Sequence, residues 1–229
     1  MQKPWVRVVL AVSIDGRITP ANGGKANLGN QGDRRVLEES LSWSDGTLIG
    51  ANTLRIHENI CLIHDKNLIN KRLSEEKFEQ PISILISNKN NYSYDWMYFK
   101  QPIHRWLINP LNSIESNKVP KYFERLILFE SNWSDILEKI FQSGIKKLVV
   151  LGGAKVVESL LIEKQVDELQ ITLTPKLLGG SHSWISHKIT NLPMEYTEDN
   201  CWILNEVKVL EGSEIMLRYI LDQSNKKNK

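Results

Sequence analysis

Apolar residues in this chain fall into short runs of strand length and into segments with the spacing of amphipathic helices. Residues 5–12 read WVRVVLAV, an almost continuous apolar run that is typical of a central strand covered on both faces. Helical spacing places an acidic residue, Asp33, near the start of the first helix, and Gly144 closes a later one. Strands are predicted at 5–12, 47–50, 82–86, 103–109, 125–129, 146–151 and 166–174, and helices at 33–43, 66–79 (charged and exposed), 133–141 and 154–163.

The clearest architectural signal lies between residues 146 and 174. A buried strand, a Gly152-Gly153 turn, a helix and a further strand form a βαβ unit, which implies parallel pairing. Two strands at 202–210 and 214–221, joined by a short turn, form an antiparallel hairpin at the end of the chain. We therefore predict an α/β fold with a mixed, mainly parallel sheet, flanked by helices and completed by a C-terminal antiparallel hairpin.

Charge and cysteine content narrow the classes of protein that remain. The 229 residues carry a formal net charge of +2, too small to indicate a nucleic-acid partner or a membrane surface. Cys61 and Cys201 stand far apart without metal-ligand spacing, so we predict neither a disulfide framework nor a metal site. We find no signal peptide and no apolar stretch of membrane-helix length. We expect a cytoplasmic protein with one domain over 1–222 and a polar tail over 223–229.

The glycine pair Gly152-Gly153 is the first candidate for chemistry. It follows a buried strand, where ligands bind in open α/β sheets, and precedes the helix that begins with Ala154 and Lys155. Glycines let a phosphate approach the backbone, and the free N–H groups of a helix N-terminus favour a diphosphate. The segment is neither a Walker loop nor a full G-x-G-x-x-G fingerprint, so a purely structural turn is the alternative.

Two further strand ends carry candidate residues. Asp15 and Gly16 follow the first strand, where they either shape a pocket or simply form a turn. Gly50 ends another strand, and small residues there permit close approach of a cofactor; the alternative is a strand-to-helix turn capped by Asn52 or Thr53.

The histidines indicate no zinc site, because no pair has the spacing of metal ligands on one helix. His57 and His64 lie in a segment that could border a pocket, with a surface role as the alternative. The chain has no Gly-x-Ser-x-Gly elbow and no Cys–His nucleophile signal.

These motifs occur in an order that resembles the reductase domain of the riboflavin-pathway deaminase–reductases, which has a dihydrofolate-reductase-like fold. The resemblance covers nearly the whole chain, is weakest between residues 56 and 129, and leaves no room for the family's zinc deaminase domain. The matching blocks are LAVSIDGR at 10–17, DGTLIGANT at 45–53, VLGGA at 150–154, VDEL at 166–169 and PKLLGG at 175–180.

The resemblance implies a homodimeric, NADPH-dependent reductase that acts on 5-amino-6-(5-phosphoribosylamino)uracil in riboflavin biosynthesis. It places Ala11 and Thr53 beside the nicotinamide, with Leu28 near a position where the family often has a tryptophan against the cofactor. The adenosine 2′-phosphate is expected near Ser87 and Asn88, with Lys89 as a plausible cation. The residues expected to hold the diphosphate are Gly152, Gly153, Ala154, Lys155 and Val156.

Departures from the family pattern fall mainly on the polar, substrate-binding half. Leu151 replaces a glutamate before the glycine pair, and His57-Glu58-Asn59 stands where the family often has Asp-Asp-Pro. Phosphate is usually gripped by arginine or lysine, so lost cations weaken the case for a phosphorylated substrate. The cations expected from the family fall at Leu41, His64 and Val9, while Arg17, Arg34, Arg35 and Arg55 are possible substitutes.

Three hypotheses follow. The first is the riboflavin-pathway reductase, with Asp15 as a pocket-shaping acid and His57 or Glu58 as the proton donor. The second keeps an NADPH-dependent reductase but changes the substrate to an unphosphorylated pterin-like or carbonyl compound. The third is a nucleotide-binding dimer without catalytic activity. The hydrophobic C-terminal hairpin is a candidate for burial between subunits, with a place in the core as the alternative.

Overall fold

The computed structural model describes residues 2–88, 92–111, 118–130, 132–186, 189 and 191–222. It shows two compact units. One is built mainly from Glu38–Gly153, and the other from Trp5–Leu37 and the chain that follows Gly153. Lys89 and the polar tail over 223–229 lie outside the described residues.

The described residues form nine strands and six α-helices, with one turn of 3₁₀ helix at Met97–Phe99. The strands are β1 (Trp5–Ser13), β2 (Gly46–Gly50), β3 (Ile82–Ile86), β4 (Arg105–Pro110), β5 (Arg125–Phe129), β6 (Lys147–Val150), β7 (Glu168–Thr174), β8 (Trp202–Leu210) and β9 (Glu214–Leu221). The helices are α1 (Gln31–Trp43), α2 (Ala51–His57), α3 (Lys66–Ser74), α4 (Trp133–Gln142), α5 (Ala154–Ile162) and α6 (Met194–Thr197).

In the first unit, five parallel strands lie in the order β5-β4-β3-β2-β6. Most β-branched and leucine side chains of β2, β3 and β6 are buried, as expected for parallel strands that are covered on both faces. An apolar cluster that includes Leu54, Leu85, Tyr98 and Leu107 forms the core. Fully buried side chains of this kind contribute roughly 1.5–3 kcal/mol each to folding.

In the second unit, four strands lie in the order β1-β7-β9-β8. Strand β1 is parallel to β7, while β9 is antiparallel to both β7 and β8. An ion-pair network crosses these strands: Glu168 contacts Arg7 at 3.0 Å and Arg218 at 3.5 Å. The mixed sheet, its parallel majority and its C-terminal hairpin are confirmed.

Several boundaries differ from those predicted. Helix α3 ends at Ser74 rather than 79, because Glu76 takes a left-handed conformation with φ of 58°. It also buries Arg72, although the charged segment predicts an exposed helix. The βαβ signal suggests that β6 pairs with β7, but β6 pairs with β2 and β7 with β1. Two short helices, α2 and α6, were not predicted.

Candidate active site

The carboxyl ends of β6, β2 and β3 meet at one edge of the first unit. Leu48 is in register with Val150, and Gly50 with Ile86, so the residues that follow these strands are neighbours. The backbone N–H of Gly50 donates to the carbonyl of Gly152 at 3.4 Å. Two of the predicted cofactor-binding segments are therefore brought together by backbone hydrogen bonding.

The glycine pair has the conformation that the sequence predicts for a close turn. Gly152 has φ of 107° and Gly153 has φ of 92°, values that other L-residues rarely adopt. Helix α5 begins directly after the pair at Ala154. The first N–H groups of an α-helix have no partner within the helix and carry its positive dipole end. The segment 152–156 therefore has the backbone chemistry that a diphosphate needs.

Thr53 lies within helix α2, which begins directly after β2. The helix takes Gly50 as its N-cap, and no side chain caps it, so the alternative of a cap by Asn52 or Thr53 is wrong. Gly50 has φ of −78° and ψ of 144°, and can serve as a cap residue without a side chain. Thr53 and His57 are four residues apart, so they lie on the same face of this helix.

Glu58 terminates α2 through its backbone. It takes a left-handed conformation with φ of 59°, and its N–H donates to the Leu54 carbonyl at 2.7 Å. Its own carbonyl accepts from the N–H of Tyr98 at 2.9 Å. The Glu58 side chain is exposed, whereas His57 is half-buried.

Ser87 and Asn88 follow β3 at the same edge. Ser87 is only 4% exposed, and its N–H donates to the carbonyl of Ile108 at 3.0 Å. The side chain of Asn109 donates to the carbonyl of Ser87 at 2.9 Å. Asn88 is exposed, so it is the member of the predicted pair that is accessible to a ligand.

Asp15 joins two loops of the second unit. Its carboxylate accepts from the Ser13 hydroxyl at 2.5 Å and from the N–H groups of Leu178 at 3.1 Å and Gly179 at 2.8 Å. These hydrogen bonds lower the pKa of Asp15 to about 2, and the one from Ser13 has the largest effect. The group is therefore ionised at neutral pH, which suits a residue that shapes a loop and not one that gives up a proton.

Ala11 and Leu28 are the other predicted cofactor contacts of the second unit. Ala11 lies on β1, half-buried, in register with Thr172 on β7. Leu28 is 6% exposed, and its carbonyl accepts from the Lys176 ammonium at 3.3 Å. Lys176 also donates to the carbonyl of Asn27, so this lysine fixes the loop that leads to α1.

Sequence reasoning missed a pair of carboxylates in the second unit. Asp33 in α1 is hydrogen-bonded to the Thr172 side chain, and Glu214 on β9 is close enough to interact with it electrostatically. Burial is the main cause that raises the pKa of Asp33; Glu214 also raises it, while Thr172 and Arg34 lower it. Sequence reasoning assigned Asp33 only a helix-dipole role, because its partner residues are distant in the chain.

Two of the three positions where the family pattern expects a cation are buried. Leu41 is fully buried in the core, and Val9 is 9% exposed. Among the possible substitutes, Arg35 is paired with Glu211 at 2.7 Å. Arg55 on α2 donates to the side chain of Asn52 at 3.3 Å.

The described residues contain no group of three or more histidine, cysteine, aspartate or glutamate side chains that could hold a metal ion. None of the helices among them is long and apolar enough to cross a membrane.

Comparison with known proteins gives a consistent family. The model of the RibD C-terminal domain matches residues 4–202. A relative from Archaeoglobus fulgidus, named 2,5-diamino-6-ribosylamino-4(3H)-pyrimidinone 5′-phosphate reductase, is 23% identical over 187 residues, 79% of this chain and 84% of the relative.

Solved structures agree on the fold. A pyrimidine reductase-like protein from Corynebacterium diphtheriae has a TM-score of 0.76 at 18% identity, over 96% of this chain and 92% of the other. Dihydrofolate reductase from Enterococcus faecalis has a TM-score of 0.53 at 12% identity, over 95% of this chain and 96% of its own. The predicted dihydrofolate-reductase-like fold is confirmed, and the chain belongs to the RibD C-terminal domain family.

Proposed function

We propose that this protein is an NADPH-dependent reductase of riboflavin biosynthesis that acts on a 6-ribosylaminopyrimidine 5′-phosphate, with 5-amino-6-(5-phosphoribosylamino)uracil as the substrate expected from the sequence. The observation that carries the proposal is the left-handed turn at Gly152 and Gly153, hydrogen-bonded beside Gly50 where parallel strands end. The names of the relatives support a reductase.

The residues at this edge fit a dinucleotide. The N–H groups of Ala154, Lys155 and Val156 would hold the diphosphate, and exposed Asn88 would face the 2′-phosphate that distinguishes NADPH from NADH. When bound, the nicotinamide supplies the hydride. The protein itself would orient the substrate against the nicotinamide. Reactants held in the right geometry can react without a covalent nucleophile from the protein.

We further propose His57 as the proton donor in preference to Glu58. His57 is half-buried and shares a face of α2 with Thr53, whereas exposed Glu58 serves the helix through its backbone. Replacing His57 with Gln is expected to lower kcat by about 10²-fold with little change in the Kd for NADPH. An equal loss with Glu58→Gln and no loss with His57→Gln would exchange the two roles.

Cofactor binding is tested by titrating the protein with NADPH and with NADH while following tryptophan fluorescence. Preferential binding of NADPH is expected, and Gly153→Leu should weaken it by about 100-fold or more because a side chain would be forced into the left-handed turn. Gly144→Leu is the matched control: Gly144 has φ of 97° after α4, and a Cβ added there would meet no atom within 4 Å.

The two variants carry similar backbone strain, so a loss of binding confined to Gly153→Leu would assign the nucleotide to this turn. If both variants bound NADPH equally weakly, the loss would come from a less stable fold and not from the turn at Gly153. Binding of neither nucleotide by the unmodified protein would favour the non-catalytic hypothesis. Turnover is then followed as consumption of NADPH in the presence of 5-amino-6-(5-phosphoribosylamino)uracil or of 2,5-diamino-6-ribosylamino-4(3H)-pyrimidinone 5′-phosphate, the compound in the relatives' names.

We propose that the protein is a homodimer that uses β8. This strand lies at the edge of the second unit and exposes Ile203, Leu204, Val207 and Val209, the last at 83%. An exposed apolar edge strand readily pairs with another chain. Light scattering of Val209→Asp should show a monomer where the unmodified protein shows a dimer; a monomeric unmodified protein would refute this assembly.

We propose that the protein is located in the cytoplasm, which is a reducing compartment. Both cysteines, Cys61 and Cys201, are free thiols, which suits a compartment that keeps thiols reduced.

A further inference from the structure

The turn between β8 and β9, residues 211–213 (the hairpin turn), packs closely against the chain that leads into helix α1. A Cβ added at Gly32 would lie 2.8 Å from Leu210 Cβ, at the end of β8. A Cβ added at Gly212 would lie 2.5 Å from Asn30 Nδ2. Both distances are shorter than van der Waals contact, so each glycine permits an approach that a larger residue would prevent.

The glycine at position 32 is explained by this approach and not by its backbone conformation. Gly32 is the second residue of α1 and is absent from the residues with positive φ. In a helix, glycine is less favourable than alanine because it loses more conformational freedom on folding. A Cβ at this position would also meet the Glu211 nitrogen at 3.0 Å, a backbone atom that cannot move aside as a flexible side chain can.

Glu214, the first residue of β9, holds the same chain through a hydrogen bond. Its Oε1 accepts from the N–H of Asn30 at 3.0 Å, and the Asn30 carbonyl accepts from the N–H of Arg34 within the helix. In a capping box, the N–H before the helix is bonded by an acidic side chain in the first turn of that helix. Here the acceptor comes from a strand 184 residues away in the chain. Glu214 therefore caps α1 from the hairpin.

The burial of Glu214 favours a task in function over one in folding. Its side chain is fully buried, and Oε2 has no hydrogen-bond partner among the described residues. A buried carboxylate oxygen without a donor costs free energy, which the bond from Asn30 and the positive end of α1 offset only in part. Apolar residues often stabilise such positions better than charged ones do.

Lys176 holds the other end of the loop that precedes α1. Its ammonium donates to the carbonyls of Asn27 and Leu28, and its own carbonyl accepts from the N–H of Ile14 at 3.0 Å. Ile14 and Lys176 follow β1 and β7, which are parallel neighbours. The loop is therefore attached to the carboxyl ends of two parallel strands, where ligands bind in open α/β sheets.

We propose that Glu214 and the hairpin turn are positioning elements of the cofactor site, which hold the loop over 27–30 where Leu28 packs against the nicotinamide half of NADPH. This inference rests on the proposed function. Ala11, in the same unit, is predicted beside the nicotinamide, whereas the adenosine 2′-phosphate is expected near Asn88 in the first unit. The hairpin therefore acts on binding of the nicotinamide half and leaves binding of the adenosine half unchanged.

The test compares the Kd for NADPH with the Kd for adenosine 2′,5′-bisphosphate, which lacks the nicotinamide half, by titration calorimetry. Glu214→Ala should raise the Kd for NADPH about tenfold, the effect of losing a hydrogen bond to a charged group, and leave that for the bisphosphate within about twofold. Glu214→Gln keeps an acceptor oxygen for the N–H of Asn30, so it should restore most of the affinity for NADPH.

Gly32→Ala tests the same contact without removing a hydrogen-bonding group. The added methyl group would push the hairpin turn away from α1, so the Kd for NADPH should rise and that for the bisphosphate should stay.

Glu168→Gln is the matched control for a loss of stability. Glu168 is a carboxylate of the same unit, 3% exposed, and its described partners are Trp5, Arg7 and Arg218 rather than the loop. This variant should lower the midpoint of urea denaturation without changing the ratio of the two Kd values.

The outcomes separate this inference from the proposed function. An unchanged Kd for NADPH in Gly32→Ala and Glu214→Ala, or an equal rise in both Kd values, would overturn the positioning role and leave a reductase in place. A changed ratio in Glu168→Gln would also overturn it, because lower stability would then explain the loss. Failure of the unmodified protein to bind NADPH would overturn the proposed function, and the positioning role with it.

Discussion

Two buried charged groups, Arg72 in the first unit and Glu214 beside Asp33 in the second, differ in how they are satisfied. Arg72 is 1% exposed and donates to the carbonyls of Leu41, Ser42, Ser44 and Phe78. Glu214 is fully buried but leaves one carboxylate oxygen without a donor.

The difference teaches how to separate structural from functional charges in this protein. Burial lowers the pKa of Arg72 to about 10, which still leaves it charged at neutral pH. Its donors satisfy carbonyls at the end of α1 and after α3, so it has a structural task that is complete. The carboxylates in the second unit retain hydrogen-bonding capacity, which is what a binding site requires.

The largest effect is expected at the satisfied charge. Arg72→Met should lower the free energy of unfolding by about 3–5 kcal/mol, because it leaves several buried carbonyls without donors. Urea denaturation measures this loss, with exposed Lys71→Met on the same helix as the control. A change below about 1 kcal/mol would show that water replaces the guanidinium and that the charge is not structural.

The unsatisfied pair should appear in a pH profile. Burial disfavours the ionised form of Asp33, so the free energy of unfolding, measured by urea denaturation, should fall as pH rises from 3.8 through the raised pKa of Asp33. The groups that face it are Glu214 on β9, Thr172 on β7 and Arg34 on its own helix. Glu214 raises this pKa by repulsion, so Glu214→Gln should move the midpoint to lower pH.

Asp33→Asn is the reference for that profile, because it should remove the part of the pH dependence that Asp33 contributes. A midpoint that stays in place in Glu214→Gln would show that the two carboxylates are not electrostatically coupled.

The smallest effect is expected at Asp15, a carboxylate whose hydrogen bonds are already made. Its pKa is lowered from 3.8 to about 2, so its contribution to stability is present above pH 3.8 and is lost as pH falls to about 2. Urea midpoints of the protein and of Asp15→Asn should therefore converge across this window. A difference that is constant with pH would mean that the amide makes the same contacts.

Much of the fold could be predicted from the order of apolar runs. The bounds of β3, β5, β8 and β9 match the prediction residue for residue. The pairing of strands was harder to predict. The sequence around β6 and β7 indicates that a helix connects them, but it does not indicate that β6 pairs with β2 and β7 with β1. The burial of Arg72 in α3 was also missed, since this residue is charged like the exposed residues around it.

The sequence by itself determined the parts of the candidate site that depend on local backbone. A glycine pair between strand and helix specifies a left-handed turn at Gly152 and Gly153, because other residues rarely adopt that conformation. The position of this turn at the end of a buried strand indicated where a dinucleotide would bind.

Only the tertiary structure decided which side chains meet and in what environment. Asp33, Thr172 and Glu214 come from three elements that are distant in the chain, and their proximity depends on how β7 and β9 pair. The pKa of a carboxylate depends on burial and on neighbouring charges, which a linear pattern does not contain. This is why the hydrogen bonds of Asp15, a predicted site residue, were found to connect two loops. The neighbours of Asp33 could be identified only in the folded chain.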